Sequence, residues 1–359
     1  MAALREILSN LVLQDRIFLL LGITIAILLV LIVFFAFLTI ALRLRNIRKA
    51  GLWQSLEARW EPLILDVMTG ERSPDDTRQF VAAHEALYFV DYLLRFANRF
   101  RGREAAVITE LARPYLPRLA ARLDEADPSR RARAIRTLSI LGREEYADVI
   151  VAALDDPSPL VAMIAARALA SQDQPQHAAA LLARLDRFDT WSLNYLVSML
   201  SAMGPAVAPQ LRRILGDTQA PPQTRAVAAG ALRELRDYES GQIAARVLVT
   251  ETERELLAAA LRLVGDVGSP EFLGPIRRLA RTDDPVVRGL ALRALGRLGT
   301  DDDLLLLRQG MEDQSQWVAL HAARGLRQAG GNHLLEELVI TGHSKSDLAR
   351  QVLAEGNSS

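Results

Sequence analysis

Apolar residues along this chain fall into two regimes. From Ile17 to Leu42 there are 26 residues without a charge, interrupted only by Gly22, Thr24 and Thr39. As a helix the run would extend roughly 39 Å at about 1.5 Å per residue. That exceeds a hydrocarbon core of about 30 Å, so the run predicts a transmembrane helix over 17–42. A secretory signal would have a shorter apolar core of about 7–15 residues leading into a small-residue cleavage site, whereas this run ends in FLTIALRLR. Further on, the apolar positions become periodic. Leu138, Leu169, Leu200, Leu232, Leu261, Leu295 and Leu326 follow one another at steps of 31, 31, 32, 29, 34 and 31 residues. A period of that size predicts stacked helix pairs.

Between the two regimes, Leu52, Trp53, Leu56, Trp60 and Leu63 recur at three- and four-residue steps. They read as one face of a helix that breaks near Pro62. GERSPDDT at 70–77 is a loop by composition. Asp76 or Thr77 is expected to cap a second helix, in which Phe89, Tyr92, Leu93, Phe96 and Phe100 share a stripe before Gly102 ends it. The stripe is expected to cover the first repeat, whose apolar face needs a cap. Pro114 and Pro117 mark the start or a kink of the following helix.

The repeating unit is most legible in its first helix. DPSPLVAMIAARAL at 156–169 returns 157 positions later as DQSQWVALHAARGL at 313–326, with the valine, alanine pair, arginine and leucine coinciding. DPVVRGLALRALGRLG at 284–299 and DPSRRARAIRTLSILG at 127–142 repeat the theme. The loop Asp is placed to accept from free amides at the helix start, and Pro loses nothing in a first turn. Thr137, Ala168, Ala231, Ala260, Ala294 and Gly325 precede six of the seven leucines, which permits close helix packing; Met199 is the exception. Gly142, Gly204, Gly265 and Gly299 are expected to end helices in the left-handed conformation. Shorter second helices follow, such as EEYADVIVAALDD.

This unit resembles the HEAT family of helical repeats, in the short bacterial form of about 30 residues also found in phycobilin-lyase proteins. The resemblance covers residues 104–340, although 187–203 lacks the DP start and the alanine pair, and 251–266 opens with ETERE. It implies an all-α chain: one transmembrane helix, then a right-handed α-solenoid of about seven helix pairs whose second helices line a concave groove used for protein partners. The expected organisation is a short N-terminus at 1–16, the membrane helix at 17–42, juxtamembrane and capping helices at 43–103, repeats at 104–340, and a final helix and tail at 341–359.

Charge decides direction rather than class. With 43 basic and 43 acidic residues the chain has no global pull toward nucleic acid, and no nucleic-acid partner is expected. Absence of cysteine excludes disulfides, thiol catalysis and cysteine metal sites. Arg43, Arg45, Arg48 and Lys49 follow the apolar run with no acid among them, whereas Arg5 and Arg16 precede it beside Glu6 and Asp15. Under the positive-inside rule the N-terminus lies outside and 43–359 lie in the cytoplasm, at a bacterial inner membrane.

Candidate binding residues come from the second helices. Arg184, Arg212, Arg213, Arg246, Arg277, Arg278 and Arg308 recur near equivalent positions, which would set a guanidinium row along the groove, suited to carboxylates or phosphates. A solvated helix face is the competing reading. Trp191 and Trp317 depart from their repeat pattern and are candidate aromatic anchors; packing into a local gap is the alternative. His84, His177, His321, His333 and His343 show no metal-ligand spacing, and no cofactor or catalytic residue is expected. Acidic pairs at Asp155–Asp156, Asp283–Asp284 and Asp301–Asp303 fit helix caps. Together these features read as a non-enzymatic, membrane-tethered scaffold. The chain is also similar to anchored bacterial HEAT-repeat proteins of envelope polysaccharide machinery, which implies a membrane partner such as a glycosyltransferase. A lyase of the bilin-lyase type is the alternative.

Overall fold

The apolar run and the first periodic stripe form one helix rather than two. The structure is a computed structural model. It describes the backbone of residues 2–97, 99–100, 102–170, 175–188 and 191–356, and the side chains of these except 2–26, 46, 48–49, 175–178 and 356. Helix α1 spans Ala2–Thr69 and passes through Pro62 without a break. Pro62 and Ala58, whose carbonyl loses its partner, both lie on the exposed side, where water replaces the missing bond. On the other side Leu56, Trp60, Ile64 and Val67 are buried on both sides of the proline, and that packing overrides the expected break. The helix then ends at Gly70, in the left-handed region with φ of 84°.

The chain divides into two units, Met1–Tyr115 and Leu116–Ser359. The first holds α1, α2 (Ala86–Ala97) and α3 (Arg103–Ala112). The expected cap at Asp76 or Thr77 is not where the second helix starts. Pro74–Phe80 forms a 3-10 segment capped by Ser73, and the buried Thr77 hydroxyl donates to the Pro74 carbonyl at 2.6 Å. The aromatic stripe of α2 closes around Trp60, with Phe89 and Tyr92 at ring distances of 5.1 and 5.7 Å, and Phe89 meets Tyr115 at 5.4 Å. Arg59 clasps Glu85 through two bonds of 3.1 and 2.9 Å.

In the second unit, α4 (Leu116–Ala120) leads into seven helix pairs: α5 (Pro128–Leu141) with α6 (Ala147–Ala152), α7 (Pro159–Ala170) with α8 (Pro175–Leu182), α9 (Leu193–Ser201) with α10 (Ala208–Gly216), α11 (Pro222–Glu234) with α12 (Gly241–Thr250), α13 (Arg254–Val267) with α14 (Leu273–Leu279), α15 (Pro285–Leu298) with α16 (Leu304–Met311), and α17 (Gln316–Gln328) with α18 (Asn332–Ile340). Helix α19 (Ser346–Gly356) packs on the last pair. All seven periodic leucines are fully buried in the first helices, at 0–1% exposure.

First helices pack directly on one another, and their small residues explain why. A Cβ added to Gly296 of α15 would stand 2.3 Å from the Gly325 Cα of α17. Gly265 is therefore not a helix end. It lies buried inside α13, where a Cβ would press on Ala294 at 3.4 Å. Of the four glycines expected in the left-handed region, Gly204 alone has positive φ, 77°, while Gly142 and Gly299 sit at −133° and −65°. The capping aspartates behave as the sequence implies. Asp127 accepts from the Ser129 amide, Asp156 from Ser158, Asp284 from Val286 and Val287, and Asp313 from Ser315.

Candidate partner-binding face

Most of the second-helix arginines are engaged inside the chain. Arg184 binds Asp155 with Nε 3.0 Å from each carboxylate oxygen. Arg212 pairs with Asp237 and Glu239. Arg277 grips Asp303 at 2.6 and 2.9 Å, Arg278 donates to the Leu248 carbonyl at 3.2 Å, and Arg308 lies 3.4 Å from Glu337. Each ties one repeat to a neighbour. The side chains of Arg213 and Arg246 are exposed and make no hydrogen bond or ion pair among the described residues. The row expected along a groove is thus largely an inter-repeat clamp, with two free members.

The aromatic candidates are placed differently from each other. Trp191 stacks on Phe188 at 4.3 Å and meets Tyr195 at 5.8 Å. Its remaining face lines a cleft of 420 Å³ with Leu193, Pro221 and Val227. Trp317 lies over Gly289 of the preceding repeat, where a Cβ would come within 2.2 Å of its ring, and 39% of it stays exposed. His321 meets the Trp317 ring at 4.3 Å, edge to face. Among the topology residues, Arg43 and Arg45 are exposed on α1, while the side chains of Arg48 and Lys49 lie outside the described residues.

The clefts with the strongest charge lie on the first helices, which sequence reasoning had not singled out. A cleft of 520 Å³ runs across α9, α11 and α13 and includes Arg233 and Arg262. A narrow one, with Arg233, Arg262, Arg293 and Arg297, continues it into a third of 420 Å³ between α15 and α17, so the three form one trough. Their arginines cluster around the periodic leucine. Arg293 and Arg324 stand two residues before it, Arg233, Arg262 and Arg327 one after, and Arg297 two after; Arg136 and Arg167 hold the first of these positions on α5 and α7, outside the clefts. Positions three apart are neighbours on one helix face, so both registers point the same way. The signal was present in the sequence as LRE, LRL and LRALGRL around the anchor leucines.

The electrostatics of the trough are uneven. Asp266 pairs with both Arg233 and Arg297, and Glu355 takes Arg324 through bonds of 3.0 and 2.8 Å. Burial lowers the Arg262 pKa, helped by the like charges of Arg233 and Arg293. His321 falls to about 4 because it is buried, with Arg293, Arg324 and Arg262 adding repulsion. Its ring is therefore neutral at physiological pH. Among the described residues no three His, Asp or Glu side chains gather into a metal-binding group.

Residues 116–194 and 244–327 match the family of HEAT repeats. No curated protein matches the chain. Among solved structures the chain is similar to a karyopherin bound to the extreme C-terminus of a protein phosphatase, at 14% identity and a TM-score of 0.36 over 72% of this chain and 39% of that one. It therefore spans about two fifths of that karyopherin's length. It is similar to the CpcE and CpcF complex of phycocyanin lyase from Nostoc sp., at 19% identity and 0.31 over 68% and 94%. A designed armadillo repeat protein matches at 17% and 0.30 over 60% and 99%. What the matched residues establish is the repeat itself: HEAT repeats lie within the second unit, over residues 116–194 and 244–327.

Proposed function

We propose that this protein is a non-enzymatic, membrane-tethered scaffold whose HEAT repeats hold a protein partner along the first-helix face. The observation that supports the binding face is the trough across α9 to α17, with guanidiniums repeated around the anchor leucines. Such a face suits an acidic surface on a partner. The support for the tether is α1, whose segment from Ile27 carries a window of mean hydropathy 2.9 with no part of it buried. In this reading the N-terminus lies outside a bacterial inner membrane, residues 43–359 lie in the cytoplasm, and the partner is itself a membrane protein, such as a glycosyltransferase of envelope polysaccharide assembly. A partner confined to the same membrane meets the repeats at high effective concentration, so modest contacts suffice.

The chain has no cysteine, which makes topology directly measurable. A Tyr238→Cys variant, at a position 72% exposed, should react with a membrane-impermeant maleimide only after spheroplasts are permeabilised. An Ala3→Cys variant should react in intact spheroplasts. The full chain should also resist extraction by alkaline carbonate. Labelling of Tyr238→Cys in intact spheroplasts would overturn the orientation, and release by carbonate would overturn the tether.

A further inference from the structure

The cleft between α15 and α17 has a charge imbalance that the chain does not resolve. Its 420 Å³ is walled by Arg293 and Arg297 from one helix and by His321, Arg324 and Arg327 from the other. Arg262 stands outside this cleft, in the adjoining narrow one that it lines with Asp266, Arg293 and Arg297. Two carboxylates serve this end. Asp266 takes Arg297, and Glu355 takes Arg324 and Arg327, the last of which also donates to the Val352 carbonyl at 2.9 Å. Arg262 and Arg293 have no hydrogen-bond or ion-pair partner among the described residues. The Arg293 guanidinium is thus left unpaired in the cleft beside three that are already paired, with the unpaired Arg262 on the adjacent helix.

We propose that this cleft is a binding site for the phosphate or diphosphate group of a small molecule, held by Arg293 with His321 as a donor and with the Arg262 charge in the adjoining narrow cleft adding to the attraction. The proposal goes beyond the scaffold reading and does not depend on it. Its volume lies within the roughly 300–1,000 Å³ of small-ligand sites. A single carboxylate brings one charge to two unpaired cations, whereas a phosphate monoester brings about −1.5 to −2 and three acceptor oxygens. Planar guanidiniums match phosphoryl oxygens in a bidentate fashion. Burial, with repulsion from Arg293, Arg324 and Arg262 added, holds His321 at about 4, so its neutral ring can donate one N–H without adding to the positive excess.

The test is isothermal titration of the full-length chain in zwitterionic detergent at low salt, with inorganic pyrophosphate and inorganic phosphate. Saturable binding is expected, weakened at least about tenfold in Arg262→Ala/Arg293→Ala, as loss of charge-assisted bidentate bonds implies. Arg143→Ala/Arg350→Ala removes the same charge from exposed positions and should bind as the parent does. The His321 imidazole resonance, assigned by its loss in His321→Gln, should titrate from about 4 to a higher midpoint when pyrophosphate is present. Should the double alanine variant melt early, Arg262→Lys/Arg293→Lys keeps the charge and should still bind more weakly than the parent. ADP and a short-chain phosphatidic acid separate a soluble source from a lipid headgroup: whichever binds tighter than the inorganic ion identifies it. Absence of saturable binding to either inorganic anion, binding unaffected by the double variants, or capture of an oligoglutamate peptide alone would each overturn the assignment.

Discussion

Arg288 of α15 grips Asp313, in the turn that leads into the next first helix, through bonds of 2.6 and 3.1 Å. The same pair recurs in Arg131 and Asp156, at 2.9 and 2.8 Å, and both residues stand 157 positions earlier. Each aspartate therefore does two things at once. It accepts from the amide of the residue just before the following helix and it receives a guanidinium from the repeat before it. In a solenoid, where stability is a sum of repeat and interface contributions, one side chain links both terms.

Asp313→Ala should therefore cost more than an ordinary surface change. Losing the bond from the Ser315 amide and leaving Arg288 without its partner amounts to about 1–3 kcal/mol. Urea unfolding of the full chain should show the lower midpoint, and Arg288→Met in the same background should add little. Full additivity of the two substitutions would show that the pair is not coupled.

Acid should weaken the repeats in two stages. His321 is held below its ordinary value by burial and by Arg293, Arg324 and Arg262. The unfolded chain thus takes up its proton first, and stability falls as pH drops from about 6.5 toward about 4. Asp156, Asp303 and Asp313 are held below the ordinary carboxylate range by Arg131, Arg277 and Arg288. Their contribution is present above the unfolded value of about 3.9 and is lost as pH falls below it. His321→Gln should remove the upper stage of a melting-temperature profile and leave the lower one.

Close helix approach at the glycines gives a third test. In Gly296→Ala the new methyl would meet the Gly325 backbone at 2.3 Å, and backbone has nowhere to swing. Overpacking of this kind costs about 1–3 kcal/mol. Gly274→Ala, where nothing lies within 4 Å, should be neutral or slightly stabilising in the same thermal melt.

The local parts of this fold were legible. Buried leucines at a fixed period, small residues beside them, and an aspartate before proline each report a requirement met within one helix or by its neighbour. Two features misled because tertiary packing decides them. Pro62 is accommodated because the buried face of α1 continues beyond it, and Gly265 serves helix approach instead of helix ending. The arginines show the same limit. Arg277 and Arg293 look alike in sequence, yet one is locked to Asp303 and the other faces the trough without a partner. Only the position of the acids in space separates them.

The most direct test of the scaffold reading compares two charge reversals in affinity capture from gently solubilised membranes, scored by quantitative mass spectrometry. Arg136→Glu/Arg167→Glu/Arg233→Glu alters the first-helix face, and Arg213→Glu/Arg246→Glu alters the free arginines of the second helices. One reproducible membrane protein is expected with the parent chain, lost with the first set and retained with the second, while both variants keep their helical content. Retention with the first set and loss with the second would place the partner on the opposite layer, and no reproducible partner for the parent chain would contradict the scaffold reading itself.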